Sequence, residues 1–223
     1  MPGLGIVTGL AVEAQSLHRA VQRSPTATQI IHAAGDPVAA AQSLVAKGAG
    51  SLLSFGIAGG LDPALRPGQV IVATEIVVGT NRRFECQAAW RDNLMDRLSL
   101  YLPIAAPLAG SDKAIATVAD KAALHVHLAA AAVDMESHAV ARVAARAELP
   151  FAAVRIIADP ATRALPSSAL AGMNDKGETQ YLAVFGELAR HPLQLPGLVA
   201  VALDSGRAFF IMGRCAALLF GGG

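Results

Sequence analysis

Apolar positions in this chain come in short uninterrupted runs, and Gly, Pro or Asp stands at nearly every end of them. "LGIVTGL", "TQIIHAA", "GSLLSFGIAGG", "QVIVATEIVV", "LPIAAPLAG", "AAVDM" and "FAAVRIIAD" have strand length and lack the polar alternation of a half-exposed sheet. Each therefore predicts a strand buried on both faces. Between several of them the period changes. "AVEAQSLHRAVQ", "DPVAAAQSLVAKG", "DKAALHVHLAA" and "SHAVARVAARAEL" place apolar residues three and four apart, the second opening on Asp-Pro and ending at Gly48, which predicts helices. Strands alternating with helices predict an α/β fold with a central mixed, mostly parallel sheet flanked by helices.

With 223 residues, 53% of them hydrophobic, the chain suits one domain over residues 1–223 with a sizeable core. The loop-rich stretch "ADPATRALPSSALAGMNDKG", 158–177, follows the last predicted strand directly, and loops of that length are commonly lids or binding segments. The apolar tail 195–223 is interrupted by Asp204, Arg207 and Arg214 and contains no run of eighteen uncharged apolar residues. It predicts a terminal helix that docks or touches a membrane surface rather than one that spans.

A formal charge of +1 without runs of like charge argues against nucleic acid as a partner. Cys86 and Cys215 lie far apart with no metal spacing, as expected of reduced cytosolic thiols. The start, "MPGLGIVTGLAVEAQ", has no basic n-region and is interrupted by Glu13, so no export signal is expected and the expected location is the cytoplasm. His125 and His127 fall in a helical pattern without an evident third ligand, so no metal site is expected.

Ligands of α/β sheets gather at the carboxyl ends of strands, and four such places carry candidate chemistry. Glu13 follows the first strand at the beginning of a helix, where the helix dipole alone also favours an acid. Gly56, Gly59 and Gly60 in "SFGIAGGLDP" either let a ligand approach backbone N–H groups or simply make a tight turn. Asp134 and Glu136 flank Met135 at the end of "AAVDM" and share one side if the strand persists, although Ser137 reads as an ordinary helix start. In "VRIIADP", Arg155, Ile157 and Asp159 share a face if the strand stays extended, and an ion pair between Arg155 and Asp159 would account for both without function. Together, three strand-end carboxylates with a basic residue suggest an acid–base site.

In order along the chain, "GIVTGLAVEA", "GIAGGLDPALRPGQVIV", "VDMES" and "VRIIAD" resemble the purine nucleoside phosphorylase and nucleosidase superfamily, most nearly its methylthioadenosine/S-adenosylhomocysteine nucleosidase branch. The resemblance implies that Glu13 and Arg155 hold the attacking water, that Met135 and Glu136 hold the ribose, and that Asp159 protonates the departing purine. It further implies a base pocket at Ile57, Ala58, Gly59, Ala114 and Ile115, and a homodimer. Ile57 stands where that family often has a hydroxyl residue, Ala114 in what looks like the base-stacking position, and Ala158 in place of Ser or Thr before the acid. The tail segments "DPATRALPSSAL" and "ARHPLQLPGLVAVALDSGRA" look like the hopanoid-associated phosphorylase subfamily, which implies adenosylhopane as substrate, adenine as product and a possible membrane contact through the tail.

Physical chemistry fits these implied roles. Breaking an N-ribosidic bond builds positive charge on the sugar and negative charge on the base, so an ionised carboxylate by the ribose and an acid by the purine both act on charge of the transition state. Glu13 also repels phosphate, which would need a cationic cradle. Hydrolysis is therefore expected, with no cofactor, and phosphorolysis with phosphate as co-substrate is the alternative, for which Arg66, Arg82 and Arg83 are the basic residues in reserve. A nucleosidase acting on methylthioadenosine or S-adenosylhomocysteine, and a non-catalytic nucleoside- or lipid-binding protein on the same fold, remain further readings.

Overall fold

The structure, a computed structural model, describes residues 3–21, 28–33, 35–171, 187 and 190–221. All seven apolar runs form strands: β1 (Gly3–Thr8), β2 (Thr28–His32), β3 (Ala49–Gly60), β4 (Val70–Val78), β6 (Ile104–Gly110), β7 (Ala132–Asp134) and β8 (Phe151–Asp159). An eighth, β5 (Arg82–Glu85), extends β4 antiparallel. The predicted helices appear as α1 (Ala11–Val21), α2 (Pro37–Ala46), α4 (Val118–Leu128) and α5 (Ser137–Arg146). The sequence pattern missed α3 (Ala88–Arg97), of whose side chains only Leu94 is buried.

The result is a mixed α/β fold in which β3 is the pivot. It runs parallel to β1 on one side and to β8 on the other, and its last residues, Gly59 and Gly60, pair antiparallel with β7. Because β8 also pairs with β4, β4 with β6, and β6 with β7, the ladder β3-β8-β4-β6-β7 closes on itself. Closure leaves no open edge along that circuit. It also brings the ends of β3, β7 and β8 together.

Alternation along β8 divides the core. Phe151, Ala153 and Ile157 pack with Ala40, Ala41 and Leu44 of α2 and with Val140 and Ala144 of α5. Ala152, Val154 and Ile156 face Leu17 of α1 and the terminal helix α7 (Leu195–Phe220). Capping matches the local sequence. The Asp36 side chain accepts from the Ala39 N–H ahead of Pro37, and Thr117 Oγ1 accepts from the Asp120 N–H.

The second half of α7 belongs to the core. Ala208, Met212, Cys215, Ala216 and Leu219 are buried against β8 and α1, and Phe220 meets Phe55 edge-on at 6.2 Å. Full burial of a residue such as Met212 or Leu219 stabilises by about 1.5–3 kcal/mol. By length and composition the helix is apolar enough to cross a membrane, and the stretch that makes it so is mostly exposed. Its opposite face is another matter: Leu195, Val199, Leu203 and Phe210 lie exposed in one stripe, while Asp204 is paired with Arg163. Both cysteines are free and buried, and burial pushes each thiol up to about 12.

The loop-rich stretch 158–177 is partly helical, with α6 at Ser167–Ala171, and its remainder from 172 lies outside the described residues. His125 and His127 lie on α4 as expected. Among the described residues there is no group of three or more potential metal ligands.

Candidate active site

The carboxylates converge where β1, β3, β7 and β8 end. Glu13, in the first turn of α1, is 2% exposed. Its Oε2 accepts from the N–H groups of Gly9 and Leu10 at 2.9 and 2.8 Å, reaching back as a capping acid does. Its Oε1 crosses to β3 and accepts from the Ile57 N–H at 2.8 Å. One side chain thus serves the helix start and ties α1 to β3. A carboxylate oxygen offers about two lone-pair sites, so Oε2 is filled and Oε1 keeps one. Burial raises the Glu13 pKa against the opposing Arg155 charge and the three backbone hydrogen bonds.

Two glycines make room for these acids. A Cβ on Gly56 would stand 2.6 Å from Glu13 Oε1, and one on Gly9 would collide with Glu136 Oε1. Close approach of a carboxylate, rather than a turn, is what Gly56 serves.

Strand β7 ends at Asp134 rather than continuing through Glu136, so simple alternation does not apply to the second acid. Asp134 is buried and paired. Its Oδ2 accepts from Arg155 Nε at 2.9 Å and from Arg155 Nη2, and it caps α5 by accepting from the Ser137 N–H at 2.9 Å. Capping therefore falls to Asp134, and Ser137 is buried with its hydroxyl donating to Ser54 Oγ at 3.3 Å. Arg155, fully buried, also donates to Ser54 Oγ at 2.7 Å and lies 3.6 Å from Glu136 Oε2. Burial works against its charge, but Asp134, Glu136 and Glu13 outweigh that and raise its pKa.

Glu136 is the partly exposed member of the group, its side chain 22% accessible. Burial, then repulsion from Asp134, pushes its pKa up to about 8, Arg155 opposing and Glu13 adding to the rise. Met135 projects beside it, 36% exposed.

Asp159 departs from the sequence reading. The β3/β8 register shifts between Ala58 and Gly59, which pair with Ile157 and Asp159 and leave Ala158 as the extra residue. A bulge of this kind interrupts alternation and re-aims the side chains beyond it, so Arg155 and Asp159 do not share a face as expected, and they form no ion pair. Asp159 instead pairs with Lys121 of α4. Burial raises the Asp159 pKa, with Lys121 and then Arg163 opposing. Lys121 was missed because one lysine in a helical pattern reads as solvated; the available signal was its position on the face of Leu124 and Leu128.

Among the expected base-pocket residues, Gly59 is the one placed against Asp159. Gly59 sits where a Cβ would be 3.4 Å from both Asp159 carboxylate oxygens, and Ala58 is buried beside it. Ile115 packs on Leu61, Val133 and Leu128. Ala114 precedes it in a segment closed over by the Leu165 N–H, which donates to the Ala116 carbonyl at 2.8 Å. The basic residues in reserve lie elsewhere. Arg82 and Arg83 are on β5, Arg83 paired with Glu75 at 2.6 Å. Arg66 lines a cleft of about 300 Å³ with Gln69, Tyr101 and Arg207. A larger cleft, about 480 Å³, lies at the other end of β8 by Phe151, away from the acids.

The family model described as Phosphorylase superfamily matches residues 20–187, a span that holds Glu136, Arg155, Asp159 and Lys121 but not Glu13. No curated protein sequence matches the chain. Among solved structures, a Campylobacter jejuni 5′-methylthioadenosine/S-adenosyl homocysteine nucleosidase is similar at TM-score 0.67 and 14% identity, covering 96% of this chain and 100% of that one. A putative nucleosidase of the same kind from Francisella philomiragia gives 0.69 and 15%, over 98% and 97%. The futalosine hydrolase of Helicobacter pylori gives 0.67 and 16%, over 72% and 86%.

Proposed function

The chain belongs to the phosphorylase superfamily, and from that premise we propose that it hydrolyses the N-ribosidic bond of an adenine nucleoside, with adenosylhopane the favoured substrate and adenine the product. The observation that carries the choice of water over phosphate is the state of the two groups nearest the nucleophile. Glu13 offers one unfilled lone pair on Oε1, while Arg155 commits four of its five N–H donors to Asp134, Ser54 and the Val154 carbonyl. A phosphate dianion needs cationic donors free to meet it, and Arg66 and Arg83 stand outside the carboxylate cluster.

In this mechanism Glu13 orients a water on the C1′ face and takes its proton as the oxygen bonds to C1′. The C1′–N9 pair leaves with the base, and Asp159 transfers its proton to the purine. Glu13 then returns a proton to solvent and Asp159 regains one. Glu136 accepts from the ribose hydroxyls, and Met135 covers one side of the sugar. The raised pKa of Asp159 suits a proton donor, and that of Glu13 suits a base. Ala58, Gly59, Ala114 and Ile115 border the base, the small side chain of Ala114 leaving that pocket less filled than an aromatic would. The reaction so written uses neither metal nor cofactor.

The lipid-linked substrate is supported by α7. Its exposed stripe of Leu195, Val199, Leu203 and Phe210 suits a helix lying on a membrane, with Arg207 and Arg214 beside the stripe for anionic headgroups. We read the enzyme as a cytoplasmic homodimer that meets its substrate at that surface. Incubating the protein with adenosylhopane and with methylthioadenosine, with and without phosphate, tests the reading. Adenine release from adenosylhopane without phosphate is expected. Dependence on phosphate with formation of a ribose-1-phosphate would replace hydrolysis by phosphorolysis, and equal or better release from methylthioadenosine would remove the lipid assignment.

A further inference from the structure

Lys121 is a charged side chain with no exposed surface, in the first turns of α4. Lysine is almost never fully buried unless paired, and here each donor of an ammonium has an acceptor. Nζ donates to Asp159 Oδ2, to the Pro160 carbonyl at 3.0 Å and to the Arg163 carbonyl at 2.9 Å. Three donors meet three acceptors, and all three acceptors lie on the acid or on the turn that follows it. Asp159 Oδ1 receives nothing from Lys121, and the backbone of Gly59 passes beside it without a side chain.

Resting on the nucleosidase reading, we propose that Lys121 is a positioning residue for the acid step: it pins Oδ2 of Asp159 and the 160–163 turn, so that Oδ1 is the oxygen that hands its proton to the departing base. The proton passes from Oδ1 to the purine as the bonding pair of C1′–N9 leaves with it. Lys121 gives up no proton and makes no contact with substrate. Its charge has a second consequence. The charged groups facing Asp159 are Lys121 from α4 and Arg163 from the turn, while β3 brings Gly59. Both cations oppose the rise caused by burial, so removing Lys121 lets Asp159 hold its proton to higher pH.

Two substitutions separate this role from a structural one. Lys121→Met removes the charge and all three hydrogen bonds; Lys121→Gln removes the charge and keeps an amide donor for the carbonyls. For either, kcat for adenine release is expected to fall roughly ten- to a hundredfold with KM little changed, the size of a small misplacement of a catalytic group. The alkaline limb of kcat/KM moves up by roughly one pH unit or more, as expected on losing an opposite charge in contact. A loss of activity with the limb unmoved would overturn the proposal. Titration of the Asp159 carboxyl by infrared difference against Asp159→Asn decides the charge effect without substrate. A carboxyl titrating at the same pH with and without Lys121 sinks it, even if no nucleoside is cleaved; an upward shift in an inactive protein would instead count against the nucleosidase reading alone.

Discussion

Arg155 and Asp159 sit four residues apart on β8 and do not pair, because Arg155 is held by Asp134 and Asp159 by Lys121. Two cations thus divide the acids. Arg155 gathers Asp134, Glu136 and Glu13 on the proposed sugar side, and Lys121 serves the single acid on the proposed base side.

Breaking the first of these pairs has a large effect on stability. Both side chains are about 1% exposed, and removing one partner of a buried pair leaves an uncompensated charge, at a cost of about 3–5 kcal/mol. Arg155→Met is expected to lower the unfolding free energy in urea by that amount. The double variant Arg155→Met with Asp134→Leu recovers part of it, since the Asp134 charge goes with its partner while the Ser137 N–H loses its acceptor and Glu13 and Glu136 lose their cation. A double variant as unstable as the single would show that the pair is not the unit.

Asp159→Asn tests the acid. Asparagine keeps an oxygen for Lys121 but has no proton to give, so the fold persists and adenine release falls roughly 10²–10⁴-fold, the usual contribution of a positioned general acid. Steady-state rates beside a circular-dichroism spectrum check this. A variant within threefold of the parent would remove Asp159 from the chemistry.

Gly56→Ala and Gly9→Ala should differ in stability. The added methyl meets the far end of a glutamate rather than backbone: Glu13 at Gly56 and Glu136 at Gly9. The partly exposed Glu136 can swing away, so Gly9→Ala changes the melting temperature little, whereas at Gly56 the buried Glu13 gives up its bond to the Ile57 N–H at a cost of about 1–3 kcal/mol. Displacing Glu13 from the Ile57 N–H also misplaces the proposed base, and a 1 Å error of that kind costs roughly a hundredfold in rate. An unchanged rate in Gly56→Ala, or a melting point lowered as far in Gly9→Ala, would contradict the expectation.

The parts of this arrangement legible in the sequence are those written in local pattern. "FAAVRIIAD" reads as a strand because every position of β8 is buried, and the acids stand out because they end such strands. β5 did not register since "RRFE" is largely exposed at an edge, nor did α3, which buries too little to show a periodic face. The ring closed by β8 between β3 and β4 depends on pairing between distant segments. The bulge at Ala158 has no residue signature, so plain strand alternation puts Asp159 on the face of Arg155. The parts played by Asp134 and Lys121 are not legible in the sequence for one reason: burial and a distant opposite charge, not their neighbours in sequence, determine what each does.

Glu136 gives the protein a pH dependence. Its pKa rises from 4.5 to about 8 on folding. Below pH 4.5 it is protonated folded and unfolded alike, and its contribution is fully present. As pH rises toward about 8 the unfolded chain releases the proton while the folded one retains it, so stability falls with pH. Glu136→Gln removes that loss. Its melting temperature should match the parent near pH 4.5 and exceed it at pH 8.5, while ribose binding weakens. A difference between the two proteins that shrinks with rising pH would contradict the burial of this carboxylate.

The exposed face of α7 gives the prediction that separates the lipid-linked substrate from a soluble one. Leu203 and Phe210 are 70% and 68% exposed and touch neither the carboxylates nor the core, so Leu203→Asp and Phe210→Asp belong with surface changes worth within about 0.5 kcal/mol of folding stability. Release of adenine from methylthioadenosine in solution should be unaffected. On a membrane each residue would bury an apolar side chain worth about 1.5–3 kcal/mol, and losing that weakens vesicle binding by roughly ten- to a hundredfold. Cosedimentation with anionic vesicles and turnover of adenosylhopane carried in them should therefore fall together in the double variant. Vesicle binding and turnover that match the parent would mean that this face of α7 meets something other than lipid, and the case for a lipid-linked substrate would lose its structural support.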